Sequence, residues 1–205
     1  MLQVDELKFR WKEQAFHYDF RLAAGSTLAI QGRSGIGKST LLELIAGFIH
    51  PDSGDIRWQG QSLLPLSVEQ RPVSMLFQTH NLFEHISVLQ NLQLGWPERV
   101  NRERDSRIRS AAGQLGVGEL LLRSPASLSG GQRQRIALLR TLLRPEPLVL
   151  LDEPFTGLDS TTRQQALTWV RETAQAQNKT LLLVTHQDED VRQLADQVLV
   201  LEGNV

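Results

Sequence analysis

Two stretches of this chain hold residue types that handle phosphate, metal ions and water. The first is Gly32-Arg33-Ser34-Gly35-Ile36-Gly37-Lys38-Ser39-Thr40, which follows an apolar, β-branched run and opens a helical pattern. Its glycines permit backbone angles that let successive N–H groups curl around phosphate oxygens. The helix behind it adds the positive end of its dipole. In a loop of this kind Lys38 reaches the β- and γ-oxygens of a nucleoside triphosphate, and the Ser39 hydroxyl ligates Mg2+. The second stretch is Leu148-Val149-Leu150-Leu151-Asp152-Glu153. Four apolar residues in a row predict a strand buried on both faces, which holds Asp152 at its C-terminal end, placed to bind Mg2+ directly or through water. Glu153 stands one residue further and is suited to polarising an attacking water. Two adjacent acids more often mark a solvated loop, but a strand this apolar argues against that.

A third stretch, Leu128-Ser129-Gly130-Gly131-Gln132, also opens a helix. Ser129 can cap it, and the glycines leave N–H groups accessible at the helix start, a second anion site. One phosphate loop has no use for a second γ-phosphate site unless that site serves another molecule's nucleotide. Alone, the stretch would read as a glycine-rich cap. The Arg133-Gln134-Arg135 run that follows is a weak basic patch, and a net charge of −1 gives no bulk attraction to nucleic acid or anionic lipid.

The elements that must carry these residues alternate. Leu2–Phe9 and Phe16–Leu22 predict two strands of an antiparallel hairpin, and Thr27–Gln31 a short buried strand delivering the glycine loop. Ser39–Ala46 predicts a helix stopped by Gly47. Gly54–Trp58 and Pro72–Phe77 are further strands. From Asn81 to Leu128 the chain turns helical and loses its β-branched runs. Then come a helix over Gly131–Leu143, the buried strand, a helix over Thr161–Gln177, a strand over Thr180–Thr185, a helix over Glu189–Leu194 and a strand over Gln197–Leu201. That alternation predicts a mainly parallel sheet flanked by helices. At 205 residues, 40% hydrophobic and 22% charged, the chain is one large α/β domain or a core with an inserted lobe. It has no cysteine, which excludes disulfides and thiolate metal sites. Met1-Leu2-Gln3-Val4-Asp5-Glu6 carries acids and no apolar core, so no signal peptide is expected. No apolar run nears the ~18 residues of a membrane span, so membrane work falls to a partner.

Taken together, the three stretches resemble the ATP-binding subunits of ABC transporters, importers in particular, over nearly the whole chain. The resemblance implies an α/β fold: a P-loop NTPase (RecA-like) core with an N-terminal antiparallel β hairpin and an inserted α-helical subdomain. Residues 1–80 and 140–205 would form the core with its antiparallel part, and 81–139 the helical subdomain ending in the signature helix. It implies ATP and Mg2+ as ligands, with a second copy of the chain paired head to tail. Ser129, Gly130, Gly131, Gln132 and, from Thr156-Gly157-Leu158-Asp159, Asp159 would contact the opposite subunit's ATP. Gln78, ending Val73-Ser74-Met75-Leu76-Phe77, would sense the γ-phosphate and join Ser39 and Asp152 at the metal. His186, after Leu181-Leu182-Leu183-Val184-Thr185, would be the switch histidine on the γ-phosphate, leaving His17, His50, His80 and His85 without a role. Trp11 falls where the family stacks adenine; Phe9 shares its face by period-two alternation, so position alone favours Trp11. Arg33 stands where importers commonly have proline but supplies only backbone, and Gly157 replaces the usual alanine or serine.

The implied partners are transmembrane permease subunits and, indirectly, a periplasmic solute-binding protein, with no nucleic acid, at the cytoplasmic face of the bacterial inner membrane. The permease contact is expected after Gln78, where Leu82, Phe83, Ile86, Val88 and Leu92 cluster, with Phe83 beside His85 as the exposed part. Arg71-Pro72-Val73-Ser74-Met75-Leu76-Phe77-Gln78, Asn81-Leu82-Phe83, Asn91-Leu92 and Ile45-Ala46-Gly47-Phe48 resemble the thiamine-importing branch, although ferric-iron, spermidine and sulfate importers share much of this. Non-transport ABC ATPases usually carry coiled-coil insertions or two cassettes, and neither is seen. Family members usually continue past Glu202-Gly203-Asn204-Val205, so a further terminal piece is expected.

Overall fold

The structure, a computed structural model, describes residues 1–79, 82–94, 96 and 102–202. His80, Asn81 and the terminal Gly203-Asn204-Val205 lie outside the described residues. Strands β1 (Leu2–Trp11) and β2 (Gln14–Leu22) pair antiparallel, from Leu2↔Leu22 to Trp11↔Gln14. The expected hairpin is half of a larger sheet. Strand β4 (Ser53–Trp58) pairs with the other edge of β1, and β5 (Gln61–Ser62) follows it, giving the order β2-β1-β4-β5. A bulge at Glu6 (φ 46) shifts the register of β1 between Val4 and Leu7. Gly54 passes beneath it, so close that a Cβ there would lie 2.4 Å from Glu6 O.

The second sheet is wholly parallel, in the order β6-β7-β8-β3-β9, with β3 at Thr27–Gln31, β6 at Val73–Leu76, β7 at Leu148–Asp152, β8 at Thr180–Val184 and β9 at Gln197–Val200. Strands β7 and β8 are buried along their whole length. Alternation divides their side chains between two cores. Leu148, Leu150, Leu182 and Val184 join Leu28, Ile30, Leu41 and Ile45 under the antiparallel sheet. Val149, Leu151, Leu181 and Leu183 join Val88, Leu92, Ile108, Leu115, Ile136 and Leu139 from the helical segment. Because all five strands run one way, the loops after β3, β6, β7 and β8 meet on one edge.

Six helices complete the described fold: α1 (Lys38–Ala46), α2 (Val88–Gln93), α3 (Arg102–Gln114), α4 (Gly130–Leu142), α5 (Ser160–Ala176) and α6 (Asp188–Leu194). Among the described residues no helix is long and apolar enough to cross a membrane. Helix α1 ends at Gly47 in the left-handed region (φ 89), where the N–H groups of Gly47 and Phe48 both reach Glu43 O. The next carbonyls are capped from outside the helix. Buried Arg71 donates through Nη1 to Leu44 O and Ile45 O, each at 2.8 Å, and through Nε to Leu66 O. Replacing this donor with an apolar chain of similar size orphans Ile45 O and leaves Leu44 O with only the 3.3 Å bond from Gly47 N. Arg71→Met should therefore lower stability by about 2–3 kcal/mol in a urea melt; an unchanged midpoint would mean that water replaces the guanidinium without loss.

Candidate nucleotide site

The glycine loop begins where β3 ends and closes on the first turn of α1. Gly37 caps that helix at φ 103 and offers no side chain to its N–H groups, which leaves them to an anion. No other residue fits there: a Cβ would stand 2.5 Å from the Phe16 ring and the Tyr18 hydroxyl. Tyr18 donates its buried hydroxyl to Gly37 O at 2.8 Å, and Gln14 Nε2 donates to Gly35 O at 3.0 Å. The base of the loop is thus fixed by strand β2. At Gly35 (φ 77) a Cβ would meet only open space, so there the left-handed backbone and not crowding favours glycine. Lys38 Nζ spans the loop, donating to Gly32 O and Arg33 O at 2.9 Å each. Burial pulls its amine below the usual lysine range, opposed by the charges of Glu153 and Asp152.

Asp152 closes β7 and is 5% exposed. Burial pushes its carboxyl above the usual carboxylate range; a hydrogen bond with Ser39 opposes this, Glu153 adds to it, and Lys38 and His186 oppose it. Glu153 takes a left-handed backbone (φ 49), which for a residue with a side chain costs about 1–3 kcal/mol and persists only when neighbours enforce it. Its N–H donates to Val184 O on β8 at 3.0 Å. Its carboxylate lies 3.1 Å from His186 Nε2 through Oε1 and accepts from Thr156 Oγ1 at 3.2 Å through Oε2. The structure therefore brings Lys38, Ser39, Asp152, Glu153 and His186 into one cluster at the C-terminal edge of the parallel sheet. Gln78 follows β6 on the same edge and is exposed.

Trp11 stands at the end of β1, 60% exposed, while Phe9 packs against the core. Their rings are 6.4 Å apart and continue a row through Phe16 to Tyr18. Of the two, Trp11 keeps the open face. Ser129 caps α4 with φ −67, and its hydroxyl accepts from Gln132 N, while Gln132 Oε1 accepts from Ser129 N at 3.0 Å. This reciprocal cap holds the helix start. A Cβ at Gly131 would touch Leu158 and Gly157 O at 3.4 and 3.5 Å, so the loop ending in Asp159 lies against α4. Asp159 caps α5, accepting from Thr162 N at 3.0 Å.

The sequence reading missed a buried network beside His186. Asp190 on α6, 1% exposed, takes Arg163 of α5 at 2.6 and 3.1 Å through Oδ1, and accepts from Thr185 Oγ1 through Oδ2. Thr185 Oγ1 in turn accepts from Gln187 N, so both neighbours of His186 are pinned. No local pattern in the sequence relates Arg163 to Asp190. Only the docking of α5 on α6 does. His17 pairs with Glu6 on the hairpin at 3.2 Å, and His85 lies against Phe83.

A parallel sheet whose glycine loop follows β3 and whose acids end β7, with β8 between them, defines a P-loop nucleoside-triphosphatase core, here combined with an antiparallel sheet and a helical segment. The chain belongs to the ABC transporter family, whose model matches residues 16–156. It is 47% identical over 197 residues to the thiamine import ATP-binding protein of Aliivibrio fischeri, covering 95% of this chain and 84% of that one. It is 44% identical to the protein of that name from Vibrio cholerae (100% and 87% covered) and 42% identical to that of Escherichia coli K12 (100% and 90%). Among solved structures, a bacterial ABC transporter cassette determined as a dimer superposes with a TM-score of 0.86 at 23% identity, over 98% of this chain and 94% of that one. The ATP-binding subunit of an ABC transporter superposes with a TM-score of 0.88 at 25% identity, over 98% and 86%.

Asp152 also yields a test of the site. A carboxyl whose folded pKa lies above its unfolded value holds its proton more tightly when folded, so stability is greatest at low pH and falls as pH rises through that window. At neutral pH the ionised Asp152 is then a cost to the fold. Asp152→Asn should raise the thermal midpoint at pH 7, with a gain that shrinks towards about pH 4. A lowered midpoint at pH 7 would refute this reading of the burial.

Proposed function

We propose that this chain hydrolyses ATP to drive a bacterial ABC importer for thiamine and its phosphates. The observation that carries the chemistry is the strained Glu153, its carboxylate 3.1 Å from His186 Nε2 beside the Lys38 loop. ATP would lie with its adenine on Trp11 and its phosphates along Gly32, Arg33, Ser34, Gly35, Ile36, Gly37, Lys38, Ser39 and Thr40. Lys38 draws charge from the β- and γ-oxygens. Glu153 orients the attacking water and accepts its proton, and His186 holds the γ-phosphate. The hydroxyl of Ser39 and the carboxylate of Asp152, with the amide oxygen of Gln78 from the same sheet edge, would hold Mg2+ through oxygen alone, and the desolvated Asp152 suits a cation. When bound, Mg2+ neutralises charge on the β- and γ-oxygens.

The second anion site supports a shared active site: Ser129, Gly130, Gly131, Gln132 and Asp159 of one copy closing on the ATP of the other. The segment 81–139 and the core 1–80 with 140–205 would act as the two lobes of that machine. Permease subunits would dock in a groove of about 460 Å³ lined by Phe48, Val68, Met75, Phe77, Phe83 and Leu94, at the cytoplasmic face of the inner membrane. Phe83 is 49% exposed, while Val88 and Leu92 are buried in the core. Buried Asn91 clamps Phe83, accepting from its N–H at 2.8 Å and donating to its carbonyl at 2.9 Å. Thiamine as cargo, delivered by a periplasmic solute-binding protein, is supported by the thiamine import relatives that match the whole chain. Ferric-iron, polyamine or sulfate import is the alternative.

Glu153→Gln should bind ATP normally and hydrolyse it ~10²–10⁴-fold more slowly, accumulating a closed dimer on gel filtration. Turnover at the wild-type rate would remove Glu153 from the mechanism. Phe83→Ala should keep basal ATPase activity while weakening permease binding and thiamine uptake; normal coupling would misplace the groove. Deleting the gene should abolish thiamine uptake, and loss of iron, polyamine or sulfate uptake instead would reassign the cargo.

A further inference from the structure

Glu153 is held on three sides by neighbours that are close in sequence or across the sheet: Val184 O on its N–H, His186 and Thr156 on its carboxylate, and Thr156 N on its carbonyl at 3.3 Å. The fourth restraint comes from a different element. Gln134 of α4, 3% exposed, donates its side-chain amide to Pro154 O at 2.6 Å and, at longer range, to Glu153 O at 3.4 Å. Buried Phe155 anchors this segment in the core, but apolar packing is non-directional and does not set the rotation of a peptide plane. A hydrogen bond to the carbonyl does, because its strength falls away steeply with angle. The 2.6 Å bond sets the Pro154–Phe155 peptide and the 3.4 Å one bears on the Glu153–Pro154 peptide, so together they hold the two peptides that follow Glu153, and a turn of either shifts its side chain relative to β8.

We infer that Gln134 is a positioning residue for hydrolysis: from the signature helix it fixes the Glu153–Pro154 backbone and so aims the Glu153 carboxylate. This rests on Glu153 being the group that orients the attacking water. Helix α4 begins at the Ser129 cap, the end assigned to the opposite subunit's nucleotide. A small movement of α4 when that nucleotide docks therefore reaches the chain's own Glu153 through one buried amide. Gln134 thus ties the anion site a subunit lends to its partner to the base it keeps for itself.

Two substitutions test this on the full chain. Gln134→Met keeps the length and volume but cannot donate; Gln134→Asn keeps the amide but withdraws it by one methylene. Each should bind ATP within about twofold of wild type while single-turnover hydrolysis falls roughly 10–100-fold, the pattern of a misaimed group rather than a lost binding contact. In a Glu153→Gln background, Gln134→Met should cause no further loss of hydrolysis. Wild-type turnover in either folded variant would overturn the inference, as would a parallel fall in affinity and rate. Failure of both variants to fold would also overturn it, since Gln134 would then serve the fold alone. Undiminished turnover in Glu153→Gln itself would instead defeat the assignment of the base, so the two failures are distinguishable.

Discussion

The site depends on one register, the pairing of β7 with β8, in which Asp152 stands opposite Val184. That alignment lets the Glu153 N–H reach Val184 O and brings its carboxylate to His186, one turn of chain beyond the next strand. A slip of one residue would turn every side chain of β7 to the other face. Leu148 and Leu150 would exchange cores with Val149 and Leu151, and the acids would leave the edge on which the glycine loop opens. The two separate apolar cores on either side of the sheet make such a slip costly, so hydrophobic packing fixes the geometry of a polar site.

Around that register the fold accepts several local costs. Asp152 carries a carboxyl whose charged form burial disfavours, Lys38 is partly desolvated, and Glu153 has a backbone that its side chain resists. Each is stabilised by partners from a different element: Ser39 of α1 for Asp152, the carbonyls of the glycine loop for Lys38, β8 for Glu153. Departures from local preference that gather in one place mark a working site, because elsewhere nothing would retain them. The Arg163–Asp190–Thr185 network belongs to the same logic, since it spends a buried ion pair on fixing the two residues that flank His186.

The helical segment shows the reverse economy. Its core is continuous with one face of the parallel sheet, through Val149 and Leu151. Yet Phe48, Phe83 and Leu94 stay half exposed around a groove. Asn91 is buried and engages the Phe83 backbone with both ends of its amide.

The sequence by itself determined the chemistry. Gly35, Gly37, Lys38 and Ser39 declare a phosphate loop because glycine geometry and a helix start are local properties. Asp152 and Glu153 were legible because four apolar residues before them could only be a buried strand. Ser129 was legible as a cap because a serine stands where a helix begins. What the tertiary structure decided were the relations that no local pattern encodes. Strand β4 could as well have joined the parallel sheet, and its place beside β1 depends on the Glu6 bulge and the close passage of Gly54. Lys179 reads as a loop lysine, but the fold buries it onto the carbonyls of Arg144 and Glu146 and burial pushes its amine down to about 8. Nothing local to Arg71 or Gln134 marks them as caps for carbonyls on other elements, and the fold makes them so. Local geometry follows from neighbours in the chain, whereas a buried hydrogen bond between distant elements exists only once packing has removed the water that would otherwise satisfy it.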